Sequence, residues 1–245
     1  MLLQLDRLNY TPPNFTHPLL TDISFNLAAG ECLTLTGITG AGKSTLLRLL
    51  NRLSEPTTGR VLFNGAEYRS IDPITLRKQV MLVSQEPKLL GMKVREALAY
   101  PLQLQSLGVE EIKQRIVTVT EKLEIPTDWF DRIESQLSAG QKQIVSIARG
   151  LITRPQILLL DEPIANLDFH TAETILKYIT ELARSQQMGL IIVNHQLELA
   201  AQFSDRLLYL QDGKLLLDRA SNLVDWSNLQ QQITVDESES ISEWD

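Results

Sequence analysis

The chain has 245 residues, enough to bury a full core as one large α/β domain or one domain carrying an insertion. With 43% hydrophobic and 22% charged residues it falls in the ordinary globular class, and a net charge of −7 with dispersed basic side chains argues against a nucleic-acid groove as the main function. Cys32 is the single cysteine, which excludes an internal disulfide and fits a reducing cytosol. The apolar runs fall far short of the ~20 residues that a membrane-spanning helix needs. Asp6 and Arg7 precede any long apolar run, so the start of the chain does not read as a secretory signal.

To about Asn64 the chain reads as mostly strands. Leu3–Leu8 and Ile23–Leu27 alternate apolar and polar residues, as half-buried antiparallel strands do. Glu31–Thr36 reads as a buried strand, and Leu46, Leu47, Leu49 and Leu50 form a helical apolar stripe. Between them lies Gly37-Ile38-Thr39-Gly40-Ala41-Gly42-Lys43-Ser44-Thr45, which matches G-x-x-x-x-G-K-[ST] on Gly37, Gly42, Lys43 and Ser44. A strand, a glycine turn and a helix N-terminus aim backbone N–H groups and a positive dipole end at one point. Lys43 adds a mobile ammonium for β- and γ-phosphates, and the Ser44 hydroxyl suits Mg²⁺. Val61–Phe63 ends in the turn Asn64-Gly65, and the short strand Val80–Val83 stops at Ser84-Gln85-Glu86-Pro87.

Helical spacing then takes over in Val94–Ala99, Glu110–Leu123 and Gln141–Leu151, broken by Pro101, Gly108 and Pro126. Ser138 followed three residues later by Gln141 is a capping box, which by itself explains both residues as helix-start chemistry. Strands return at Ile157–Leu160, Leu190–Val193 and Leu207–Leu210, with the helical stretch Thr171–Ser185 between, and such alternation implies a parallel sheet. Ile157–Leu160 ends in Asp161-Glu162. Adjacent carboxylates at the end of a buried strand suit Mg²⁺ binding and water activation, although two exposed acids at a plain strand end give the same letters. After Asp218 the signals weaken, and 236–245, with five acidic and no basic residues, reads as a solvated, disordered tail.

Taken in order, the P-loop Gly37–Thr45, Gln85 after a short strand, the signature Leu137-Ser138-Ala139-Gly140-Gln141, Asp161-Glu162, Ala165-Asn166-Leu167-Asp168 and His195 resemble the motif series of the ATP-binding subunits of ATP-binding-cassette transporters. The likeness covers roughly residues 2–218. It implies a P-loop NTPase (RecA-like) α/β core with an antiparallel β subdomain and an inserted α-helical subdomain. A single domain would span 1–235, with the core in 1–86 and 152–235 and the insertion at about 87–151. ATP and Mg²⁺ are the implied cofactors, and ATP hydrolysis coupled to transport is the implied activity. Glu162 would polarise the attacking water, His195 would contact the γ-phosphate, and Gln85 would touch Mg²⁺ or the water. Ser44, Gln85 and Asp161 would hold the metal shell. The phosphates would lie on Gly37–Thr45 of one subunit and on Ser138, Ala139, Gly140 and Gln141 of another, with Asp168 coupling the sites.

Two such subunits, two copies or one copy and a paralogue, would therefore pack head to tail. A separate transmembrane permease would dock near Gln85–Met92, through Leu89, Leu90 and Met92 unless these are local core, and hold the subunit on the inner face of the membrane. No nucleic-acid partner is expected. The competing class is a soluble family relative in iron–sulfur assembly or nucleic-acid metabolism, but the chain has no room for long coiled coils and carries one cassette. The chain departs from the family pattern at Ala139, where glycine is usual, at Ile144, where many relatives have arginine, and at the adenine-stacking slot. That slot holds Pro12, with Tyr10 or Phe15 as substitutes. Leu50–Leu53, Ile71–Pro73 and Leu76–Arg77 look most like ATPases for phosphate and small inorganic ions, and also like metal-efflux and sugar-nucleotide ATPases.

Overall fold

A computed structural model describes residues 1–242. Two sheets organise it. The first is antiparallel, in the order β2 (Leu20–Leu27), β1 (Leu3–Tyr10), β4 (Thr58–Phe63), β5 (Ala66–Glu67). The second has six strands in the order β10 (Lys214–Ala220), β9 (Arg206–Gln211), β3 (Cys32–Thr36), β8 (Gly189–Val193), β7 (Ile157–Asp161), β6 (Val80–Val83). All but β10 run parallel.

Strands β3, β7 and β8 are buried along their whole length, as parallel strands covered on both faces must be. Side chains alternate across the sheet. Leu158, Leu160, Leu190 and Ile192 therefore enter one core, while Ile157, Leu159, Ile191 and Val193 enter the other. The second core is closed by the antiparallel sheet and by α1 (Lys43–Leu50). The first is closed by α3 (Val94–Leu104), α4 (Val109–Lys122), α5 (Ala139–Leu151) and α6 (Phe169–Gln186). The expected helical insertion is thus present as α3–α5, and it shares a core with the sheet. Cys32 is part of that core, its thiol pushed up to about 12 chiefly by burial, so it packs as a small apolar residue.

Three expectations change. Helix α3 does not break at Pro101 but continues to Leu104, because Ala97, Leu98 and Leu102 are buried and hold both halves of the helix in the core. Beyond Asp218 regular elements continue among the described residues. β10 pairs with β9, and α8 (Trp226–Ser242) seats Leu229 and Ile233 against Leu197, Leu207 and Tyr209. The Tyr209 hydroxyl donates to Asp236 at 2.8 Å, so residues 236–242 of the expected tail are helical, while 243–245 lie outside the described residues. Five strands and α-helices go beyond those read from the sequence: β5, β10, α8, α2 (Pro73–Gln79) and α7 (Leu197–Phe203). Among the described residues no helix is long and apolar enough to cross a membrane.

The residues between β6 and α3 divide by burial. Leu89 is fully buried, its N–H donating to Glu134 Oε2 at 2.8 Å, and Met92 packs against the same core. Leu90 stands 66% exposed in the left-handed region at φ 58°. Leu89 is therefore core, and only Leu90 of the three is displayed on the surface. Leu89→Ala is expected to cost about 2–5 kcal/mol in urea unfolding, and Leu90→Ala less than about 0.5 kcal/mol. Equal losses in the two variants would contradict this division.

Candidate active site

The P-loop connects β3 to α1, and three of its glycines have positive φ: Gly37 at 151°, Gly40 at 84° and Gly42 at 102°. Gly37 has a second reason to lack a side chain, since a methyl there would lie 2.0 Å from the Leu210 carbonyl oxygen. Gly42 caps α1 without any side-chain hydrogen bond, so the first-turn N–H groups of α1 are left to an anion. The Lys43 side chain is 6% exposed and folds over the loop, donating to the carbonyls of Gly37 at 2.8 Å and Ile38 at 2.7 Å. A buried ammonium beside a helix N-terminus fits a phosphorylated ligand.

Three other strand ends meet this loop. Gln85 follows β6, Glu162 follows β7 and His195 follows β8. Gln85 Nε2 donates to Glu162 Oε2 at 2.9 Å, and His195 Nε2 lies 3.2 Å from Glu162 Oε1. Glu162 is therefore held from both sides. Its backbone is in the left-handed region at φ 48°, a conformation that costs roughly 1–2 kcal/mol for a residue with a Cβ. Its N–H donates to Val193 O at 3.2 Å. The His195 turn is pinned by its neighbours: Asn194 Nδ2 donates to Gln196 O at 3.2 Å, and Gln196 N–H donates to Asn194 Oδ1 at 2.9 Å. Gln85, Glu162 and His195 share with Thr39, Gly40, Gly42 and Lys43–Thr45 a cleft of about 730 Å³.

Ser44 Oγ donates to Asp161 Oδ1 at 3.1 Å. Among the described residues no three His, Cys, Asp or Glu side chains cluster as metal ligands. The Ser44–Asp161 pair instead offers two hard oxygens, a set that suits a small divalent cation taking its other ligands from phosphate and water. Asp161 is 7% exposed, and burial raises its pKa above the ordinary carboxylate value. The Ser44 hydrogen bond opposes that rise, and nearby Glu162 adds to it.

The remaining expected residues lie elsewhere. None of Ser138, Ala139, Gly140 and Gln141 lines the P-loop cleft. Ser138 caps α5 as expected: its Oγ accepts from Gln141 N–H at 3.1 Å, and Gln141 Oε1 accepts from Ser138 N–H at 3.0 Å. Gly140 is pressed onto the next motif, since a methyl there would lie 2.8 Å from Asn166 O. Asp168 caps α6, accepting from Thr171 N–H at 3.0 Å and Thr171 Oγ1 at 2.6 Å, bonds that lower its pKa. Tyr10, Pro12 and Phe15 are also absent from the cleft wall, and Leu19, which no motif marks, is present.

Burial of Asp161 has a consequence for stability. The unfolded chain releases this proton near the ordinary aspartate value of 3.8, whereas the folded chain holds it to higher pH. The stabilisation is fully present below the unfolded value and is lost as pH rises through the folded one. Asp161→Asn, which keeps an oxygen to accept from Ser44, is therefore expected to melt higher than the natural chain at pH 7. The gap should close as pH falls below that ordinary value. A lower melting temperature for the variant at pH 7 would contradict the assignment.

The chain is similar to known proteins in sequence and in fold. The ABC transporter family model matches residues 20–165. The phosphonates import ATP-binding protein PhnC of Treponema denticola is 36% identical over 230 residues, covering 89% of each chain. The methionine import ATP-binding protein MetN of Caulobacter vibrioides is 35% identical over 208 residues, covering 83% of this chain and 62% of the longer relative. Among solved structures, the dimeric post-hydrolysis state of the ATP-binding cassette MJ0796 bound to ADP and Pi superposes with a TM-score of 0.83 at 27% identity, covering 89% of this chain and 98% of that one. The chain belongs to the ABC transporter family, as an ATP-binding subunit that hydrolyses ATP.

Proposed function

We propose that this subunit powers a transporter whose membrane pathway lies on separate chains, hydrolysing Mg-ATP between two copies, or a copy and a paralogue, packed head to tail. The observation that carries the reading is the gathering of Gln85, Glu162 and His195 over the P-loop cleft while Ser138–Gln141 stand outside it. One copy thus supplies the P-loop side of a nucleotide and lacks a signature to cover it. A second copy in two-fold relation completes both sites at once.

In this reading the P-loop amides and Lys43 hold the phosphates, Ser44 and Asp161 hold Mg²⁺, and Gln85 reaches the metal or the water. Bound Mg²⁺ supplies charge neutralisation on the β- and γ-phosphates. Glu162 orients the attacking water and takes its proton, and His195 donates to the γ-phosphate. Ser138 and the N–H groups of Ala139 and Gly140, at the start of α5, bind the phosphate of the opposite copy, and Asp168 couples the two sites.

Both named relatives are import proteins, which supports uptake as the direction of transport. Their cargoes, phosphonates and methionine, differ in chemistry at 36% and 35% identity, so cargo choice belongs to the membrane partner. The segments that resemble inorganic-ion ATPases support this division. Arg52 donates to Tyr68 O at 2.7 Å and to Ile71 O, Arg77 donates to Arg52 O at 2.7 Å, and Asp72 caps α2 by accepting from Thr75 N–H at 2.8 Å. These side chains tie α1 to α2 and are engaged within the fold.

For the permease, a groove of about 660 Å³ beside Gln85, walled by Leu90, Tyr100 and Leu104, is the best receptor surface. Leu90, Tyr100 and Leu104 are 66%, 40% and 58% exposed, an uncommon apolar cluster for a subunit without a partner. Docking there would hold the subunit on the cytoplasmic face of the membrane.

Two experiments test the reading. Glu162→Gln should keep ATP binding, slow turnover by about 10²–10⁴-fold, and run as a dimer on a sizing column with ATP but as a monomer with ADP. Near-normal hydrolysis by the assembled variant would remove Glu162 from its role, and a monomer at high concentration with ATP would count against the sandwich. Leu104→Asp should retain the natural melting temperature and fail to copurify with the permease. Normal copurification would place docking elsewhere.

A further inference from the structure

Gln143 is 0% exposed in α5, and neither its amide nitrogen nor its amide oxygen has a hydrogen-bond partner among the described residues. Gln143 is the one described side chain with two separate polar atoms buried and unpartnered, since Thr36 and Arg77 leave a single atom each. An amide in this state has lost its hydration without compensation, whereas methionine or leucine would fill similar space at no such cost.

Helix geometry fixes where Gln143 points. Seven residues separate it from Gly150, so at ~100° per residue the two share a bearing to within ~20°, about 10 Å apart along the axis. Gly150 packs onto β6 and β7, since a methyl there would lie 2.8 Å from Val83 and 3.3 Å from Leu158. Helix α5 returns to β7 through the short link 152–156 and so runs antiparallel to it. At ~3.3 Å per strand residue, 10 Å along β7 from Leu158 reaches Asp161. Gln143 therefore faces the strand end that carries Asp161 and Glu162. Ser146, one turn on, lines a cleft together with Gln85 and Asp161, which agrees with that direction. At its other end α5 presses Gly140 onto Asn166 O. The segment from β7 to Asn166 thus grips α5 at two points, with Gln143 between them.

We propose that Gln143 is a positioning residue whose amide gains partners on the Asp161–Asn166 segment when a nucleotide phosphate is drawn onto the N-terminus of α5. Nucleotide held at Ser138 for one site would then set the pose of Glu162 in the other. The proposal rests on the reading of Ser138–Gln141 as a phosphate-binding face.

The test is Gln143→Met in the full chain. Without nucleotide its melting temperature should rise by roughly 2–8 °C, because an uncompensated amide is removed. Assembled with its membrane partner, the same variant should show about tenfold lower kcat at unchanged KM for ATP. A purely structural role would not raise stability and lower turnover together. A fall in melting temperature, in this variant or in Gln143→Leu, would mean that the amide is already partnered by protein or water, and would overturn the proposal. A rise with unchanged kcat would overturn it equally. Ser138→Arg separates the two readings: if it hydrolyses ATP at the natural rate, the signature assignment has failed, and if it is inactive while Gln143→Met is not, only Gln143 is misassigned.

Discussion

Strand register in the six-stranded sheet is the constraint on which the site depends. Leu35 is level with Val193, Val193 with Asp161, and Leu160 with Val83. From Leu35, Val193 and Asp161, which share a row, and from Val83 one row earlier, the chain needs two residues to reach Gly37, two to reach His195, one to reach Glu162 and two to reach Gln85. Neighbouring strands lie ~4.8 Å apart, so four motifs separated widely in sequence emerge within ~15 Å at the carboxyl edge, where open parallel sheets place their ligands. A one-residue slip of β7 against β8 would move Glu162 away from His195 and also exchange Leu158 and Leu160 for Ile157 and Leu159 between the two cores. Hydrophobic burial thus protects the alignment of the proposed site.

The charge arrangement works against stability in the same place. Lys43 and Asp161 are both nearly inaccessible, and Glu162 sits in a backbone region that disfavours a side chain. Hydrogen bonds offset part of the cost: two loop carbonyls for Lys43, Ser44 for Asp161, and Gln85 and His195 for Glu162. The same bonds fix the groups in pose before a nucleotide arrives, which is the condition for strong electrostatic stabilisation of developing charge.

Much of this was legible because its signals are local. A glycine-rich turn between a buried strand and a helix, a carboxylate pair at the end of an apolar run, and a serine three residues ahead of a glutamine each declare themselves within a few positions. The division of Leu89 from Leu90 did not, because it depends on which residue turns toward Glu134 and the α3–α5 core. Helix α8 was missed for a related reason. Its buried positions Leu229 and Ile233 are a single i, i+4 pair among polar residues, too narrow a stripe to outweigh an acidic composition, and β9 and α7 supply the rest of that small core. Pro101 misled in the opposite direction, since tertiary burial on both sides of it overrides a local helix-breaking preference.

The helix-cap and phosphate-binding readings of Ser138 are compatible once the hydrogen-bond inventory is counted. In the cap its Oγ acts as acceptor, from Gln141 N–H. A hydroxyl also carries a proton to donate, so Ser138 can give a hydrogen bond to a phosphate oxygen without releasing the cap. The capping box then has a second effect, because it locks the serine rotamer. Asp168 follows the same logic. Thr171 takes one position on each carboxylate oxygen, and each oxygen retains a lone pair for a partner across an interface. Gly140 against Asn166 joins these two capped helix starts into one surface, on which Ser138 and Asp168 are held in fixed relation. A surface held in this way is suited to meet a P-loop cleft rigidly, because each functional side chain is already fixed by the bond that begins its own helix.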